Sequence, residues 1–187
     1  AFRRDPASLA RDWTRLHAGD AEPWPEDAAV RQAWALFHAG DFEAAMKAGL
    51  AAGGTGVTAA NKAQCVYASC LEPREARKLA LLLEVAERAA VRQREAPGDA
   101  NAWFWQAYAL GRYAQGLSLG QVLGQGLGQT LRTALQRTLA PAPRHADAHA
   151  AVGVLHAELI DKAGERLART QGADQREGRR HFEQALE

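Results

Sequence analysis

The chain is poor in the residues that mark secreted, membrane or nucleic-acid-binding proteins. It has only two cysteines, Cys65 and Cys70, among 187 residues. Five positions apart in one helical stretch, they sit about 140° around the helix axis and cannot bridge each other. Both read as small buried thiols in a reducing, cytoplasmic compartment; removal of a leader from the chain would move that reading to the periplasm. No apolar run approaches the roughly 18 to 20 residues that cross a bilayer. The start Ala1-Phe2-Arg3-Arg4-Asp5 also lacks a signal-peptide core. Charge of one sign is missing: 23 basic side chains face 22 acidic ones, with no Lys/Arg cluster. That argues against nucleic acid or an anionic membrane as partner.

Catalytic signatures are scarce as well. No serine or cysteine nucleophile has a matching histidine pattern, and no paired-carboxylate or dinucleotide motif occurs. The turn Gly53-Gly54-Thr55-Gly56-Val57-Thr58 is glycine-rich, but no Gly-Lys-Ser/Thr follows it, so it is no phosphate loop. The sequence thus predicts neither an enzyme nor a bound cofactor.

What the chain does have is helix-forming material. Its 47% hydrophobic and 24% charged residues suffice for one buried domain, which excludes extensive disorder. Alanine, leucine, arginine and glutamate dominate while strand signals are nearly absent, so the fold class is all-α. The patterns predict helices from Pro6 or Ser8 to Ala18, then over 26–39, 42–52, 59–71 (with Thr58 as N-cap), 73–95 and 103–113. A glycine-rich run then leads into a helix ending near 140, followed by helices from His145 or Ala146 to about Ala168 and over 175–187. In that run, Gly116, Gly120, Gly124 and Gly128 recur beside leucines at 119, 123, 127, 131, 135 and 139. Each interior glycine costs about 1 kcal/mol relative to alanine, so the row needs compensation. Close helix approach along a continuous leucine ridge is the favoured account; a partly unwound lid is the other.

One stretch repeats. Ala96-Pro97-Gly98-Asp99-Ala100-Asn101-Ala102-Trp103 returns as Ala142-Pro143-Arg144-His145-Ala146-Asp147-Ala148-His149. Each copy ends a helix with proline, crosses a polar turn and opens a new apolar helix. Behind it, Trp103, Ala107 and Leu110 correspond to His149, Gly153 and His156. Repeated helix–turn–helix units signal a stack in which each unit buries its apolar face on its neighbours. A second, smaller echo is Trp13 to Asp20 against Trp34 to Asp41, each closing on Ala-Gly-Asp.

Phe37-His38-Ala39-Gly40-Asp41-Phe42-Glu43-Ala44-Ala45 resembles the middle of a tetratricopeptide repeat (TPR), where a Gly-Asp-aromatic turn joins two antiparallel helices. Pro97, Pro143 and Trp103 fall where that repeat has its proline and tryptophan, and Phe182, Ala185 and Leu186 fit the end of a second helix. Asn101 to Ala114 and Ala148 to Glu158 further resemble bacterial TPR proteins related to the regulator-of-microtubule-dynamics group, which includes a lipoprotein partner of a periplasmic substrate-binding transporter. The resemblance implies a right-handed TPR-like α-solenoid of about four degenerate units over residues 26–187. Residues 1–25 form an extra N-terminal helix and linker packed into the same unit. The two copies of the echo are about twelve residues further apart than one TPR, which places an insertion in the glycine-rich segment.

By the repeat's frame, the first helix of each pair lines a concave groove. Its positions would hold Val30, Trp34, Phe37 and His38 in one unit and Asn101, Phe104, Tyr108 and Arg112 in another. Trp34, Phe37, His38, Phe104, Tyr108 and Arg112 are the candidate partner-binding residues. Arg112 is the one strong cation among aromatics, which suits an apolar segment with a single anionic group. The leading expectation is a non-catalytic scaffold that binds a protein or peptide segment in this groove. The alternative is a small-molecule-binding accessory protein of a transport system, and packing of these aromatics against N-terminal helices is the competing structural account. His145 and His149, at i and i+4, form a weak metal pair, with a structural role expected instead. The end at Phe182 to Glu187, without cap or proline, suits a longer parent chain or a homo-oligomer.

Overall fold

The computed structural model describes residues 6–187, and among them no strand occurs; the Ala1 to Asp5 stretch lies outside the described residues. Ten helices follow one another: α1 (Pro6–Leu16), α2 (Ala28–His38), α3 (Phe42–Ala52), α4 (Gly56–Cys70), α5 (Glu75–Glu95), α6 (Ala100–Gln115), α7 (Leu119–Gly124), α8 (Leu127–Leu139), α9 (Ala146–Thr170) and α10 (Gln175–Gln184). None is long and apolar enough to cross a membrane.

Local chemistry sets the boundaries. Between α2 and α3, Gly40 takes the left-handed conformation at φ +82° and Asp41 accepts from Ala44 N at 3.2 Å. The Gly-Asp turn read from the sequence is therefore a helix stop followed by a cap. The forty-six-residue echo is of the same kind. Asp99 caps α6 by accepting from Asn101 N and Ala102 N, and His145 caps α9 through Nδ1, which accepts from Ala148 N at 3.1 Å.

Helices pack largely in chain order: α2 on α3, α3 on α4, α4 on α5, α5 on α6, α6 on α8 and α9 on α10. Two crossings depend on glycine. A Cβ on Gly49 would lie 2.5 Å from the Gly56 carbonyl oxygen, and one on Gly56 would lie 2.6 Å from that of Gly49, so α3 and α4 meet backbone to backbone. On α9, a Cβ at Gly153 would meet the Phe182 ring at 2.7 Å; on α10, one at Gly178 would meet His156 Cβ at 2.9 Å. The main core gathers Leu82, Val85, Phe104, Leu110, Leu131 and Leu135, and a smaller one gathers Leu9, Trp13, Val30 and Trp34.

Several expectations are corrected. Thr58 is not a cap: α4 starts at Gly56, and Thr58 is a buried residue within it. Cys65 is buried, and burial pushes its thiol up, but Cys70 ends α4 exposed. The glycine-rich run is not one packed helix. It breaks between α7 and α8, with Gly126 left-handed at φ +64°, which interrupts the leucine ridge and leaves Leu123 exposed while Leu127, Leu131 and Leu135 are buried. A Cβ on Gly120, Gly124 or Gly128 would meet nothing within 4 Å. Close approach holds only at Gly116, where a Cβ would lie 2.9 Å from Leu79 Cδ2.

Candidate functional site

The proposed groove residues divide between two places. Trp34 is fully buried in the smaller core, with the Trp13 ring at 5.6 Å and the Phe37 ring at 5.6 Å, both edge-on. His38 Nε2 lies 3.1 Å from His17 Nε2, and Val30 is buried in the same cluster. Trp34 and His38 thus pack against Trp13 of α1 and His17 just after it, while Phe37 packs on Trp34 and on Phe42 of α3.

Phe104, Tyr108 and Arg112 do come together. One face of α6 carries them along a cavity of about 380 Å³, closed by Leu119 and Val122 of α7, by Leu131 and Leu135 of α8, and by Ala151 and Leu155 of α9. The spacing of 104, 108 and 112 places one residue per turn on that face. Trp105 also lines it; the residue is 3% exposed, and its indole N–H has no acceptor among the described residues. Val154 lines the cavity while 42% exposed, so the space opens to the surface there.

Polar groups gather on the same lining. Arg112 lies over the Tyr108 ring at 5.4 Å and donates from Nη1 to Gln115 Oε1 at 3.2 Å; Gln115 Nε2 in turn donates to Glu158 Oε1 at 2.5 Å. Lys162 lines the cavity one turn beyond Glu158. The lining also includes Asp147, so two cations and two carboxylates share it. Of these, Arg112 was legible in the sequence. Trp105, Gln115 and Lys162 were not, because nothing local distinguishes a lining residue from its neighbours.

A second polar constellation ties the N-terminal turn to the echo. Asp20 is 1% exposed and accepts from His17 Nδ1 at 2.9 Å and Lys62 Nζ at 2.5 Å. Burial pushes its carboxyl up, but the His17 bond and the Lys62 and His17 charges outweigh that and hold it well below the usual carboxylate range. Asn101 Nδ2 donates to the Asp20 carbonyl at 2.9 Å and to Glu22 Oε2 at 2.6 Å, while its Oδ1 accepts from His145 Nε2 at 3.0 Å. Burial, helped by Asp20 and Asp99, pushes Glu22 up to about 8, so it is protonated at neutral pH. Burial also takes His145 down to about 4, which keeps it neutral. Asp20, Glu22 and Lys62 do not line the cavity. The constellation is a buried staple among the α1–α2 loop, α4, α6 and α9.

The histidine pair is engaged elsewhere. His145 uses Nε2 on Asn101 and Nδ1 on its own helix, while His149 meets His181 Nδ1 through Nδ1 and donates from Nε2 to the Pro143 carbonyl. Among the described residues no group of three or more His, Cys, Asp or Glu is placed to hold a metal ion. No protein-family model matches the chain, and no curated protein or solved structure shows significant similarity to it.

Proposed function

We propose that this is a non-catalytic, TPR-like helical-repeat protein that binds a small apolar ligand in the cavity between α6, α7–α8 and α9. The observation that carries the reading is the convergence of Phe104, Tyr108 and Arg112 on one largely apolar space that opens to the surface. Its volume of about 380 Å³ falls in the lower part of the range for small-ligand sites, about 300 to 1,000 Å³. Arg112 offers charge to an anionic group. The repeat resemblance supports a binding role over catalysis, and its transport-associated members favour a small molecule.

A fluorescent neutral aromatic, N-phenyl-1-naphthylamine, tests the reading. It is expected to bind the wild type with micromolar affinity, and Ala151→Phe, which fills the space, is expected to abolish binding without loss of helix content. Equal binding by both proteins sinks the cavity reading.

A scaffold that takes a peptide segment is the second reading, favoured by the exposure of Val154 on the lining. There Val154→Asp would remove a captured protein partner while leaving binding of the small probe within about twofold.

A further inference from the structure

Three histidines that the ligand cavity does not use meet where α10 lies on α9. His149 donates from Nε2 to the Pro143 carbonyl at 2.9 Å, so its Nδ1 is the atom that faces His181 Nδ1 at 2.8 Å. Only one proton fits between those two nitrogens. His156 Nδ1 accepts from Asp174 N at 2.8 Å, which requires that nitrogen to be bare. Asp174 is the N-cap of α10, so His156 holds the start of that helix and His149 holds its last turn through His181. Between them, Gly153 and Gly178 let the helices touch with no room for a side chain.

We infer that His156 and His181, set against α9 and His149, form an acid-sensitive latch: protonation of His156 and His181 undocks α10 and loosens the wall of the ligand cavity. The ligand half of this inference rests on the function proposed above. The coupling is structural. A second cavity of about 230 Å³ lies between α8, α9 and α10, lined by Arg132, His156, Glu177 and His181. Leu135, Leu155 and Leu159 line both this space and the larger cavity, so they form the partition between them. Removing α10 takes away the support behind that partition.

Charges face the histidines from every side. His156 faces Arg132 of α8 and Asp174 and Glu177 at the start of α10; His181 faces His149 and His156 of α9 and Arg180 and Glu177 on its own helix. The carboxylates favour the imidazolium, but burial first, joined by Arg132 at His156 and by His149 and Arg180 at His181, prevails and lowers both groups. A histidine lowered in the folded state contributes stability above its unfolded value of about 6.5, and that stability is lost as pH falls through the folded value.

Hydrogen exchange on the whole chain, corrected for intrinsic rate, tests the latch. From about pH 7.5 to about pH 5, protection of the α10 amides is expected to fall at least about tenfold more than that of α4. Binding of N-phenyl-1-naphthylamine is expected to weaken at least about fivefold over the same range. His156→Asn with His181→Asn keeps a polar atom near each Nδ1 but cannot be protonated, and it should flatten both profiles. If the double variant does not fold, Phe182→Ala serves instead: it should loosen α10 at either pH and leave the acid-dependent change in place. Protection of α10 that is the same at both pH values overturns the latch, as does an unaltered pH profile in the double variant. If α10 behaves as expected but the probe fails to bind at about pH 7.5, the cavity reading fails and the latch stands.

Discussion

Asp20 and Glu22 are two residues apart, both buried, and oppositely tuned. Asp20 is held charged by His17 and Lys62, whereas Glu22 sits beside that charge with an amide donor and is pushed up to about 8. A glutamate raised from about 4.5 to about 8 contributes stability that is fully present below the lower value and lost as pH rises through 8. Glu22→Gln, which cannot ionise, should therefore differ little from the wild type below about pH 4.5, remove the loss between about pH 4.5 and 8, and be the more stable protein at neutral pH, read by urea denaturation across that range. Lys62→Met removes the ammonium from a buried carboxylate and is expected to cost about 3 to 5 kcal/mol in the same assay. Glycine makes a similar contrast. Gly49→Ala would drive a Cβ into backbone at 2.5 Å and should cost about 1 to 3 kcal/mol. Gly128→Ala, inside α8 with open space around it, should stabilise by up to about 1 kcal/mol.

At the scale of elements, the helices were legible because their signals are local. The sequence reading of 42–52 coincides with α3, and the Gly-Asp turn before it is the stop and cap that residue chemistry implies. The echo was legible as a repeat, and the structure gives it a physical content: Asp99 and His145 occupy equivalent N-caps. Asp99→Ala should cost about 1 kcal/mol and loosen the first turn of α6, seen as faster exchange at Asn101 and Ala102. The glycine-rich run was misread because a row of glycines at helical spacing fits both tight packing and a broken helix. Only the empty space beside Gly120, Gly124 and Gly128 and the left-handed Gly126 choose between them. The short α7 that results packs on α8 and sets Val122 into the core, and its Ser118–Gln121 capping box satisfies its first turn. Gly126→Ala would place a side chain in the left-handed region, cost about 1 to 2 kcal/mol, and shift probe binding along with stability.

Across the whole molecule, the candidate groove residues divide between a cavity lining and a buried cluster. Phe104, Tyr108 and Arg112 fall on one face of α6, which helical periodicity alone determines. Trp34 failed as a surface residue because α1 and its loop cover it, a contact that no periodicity encodes. The all-α class, the N-capped echo, the helix-stopping glycines and the near-neutral charge were determined by the sequence itself, since each depends on neighbours within a few positions. The buried staple from Asp20 to Asn101 and His145, the cavity, and the histidine contact between α9 and α10 were decided only by the tertiary structure. The bonds from Asn101 to Asp20 and to His145 and from His149 to His181 span 81, 44 and 32 residues, and burial gives a carboxyl or an imidazole its behaviour only after distant helices have closed around it.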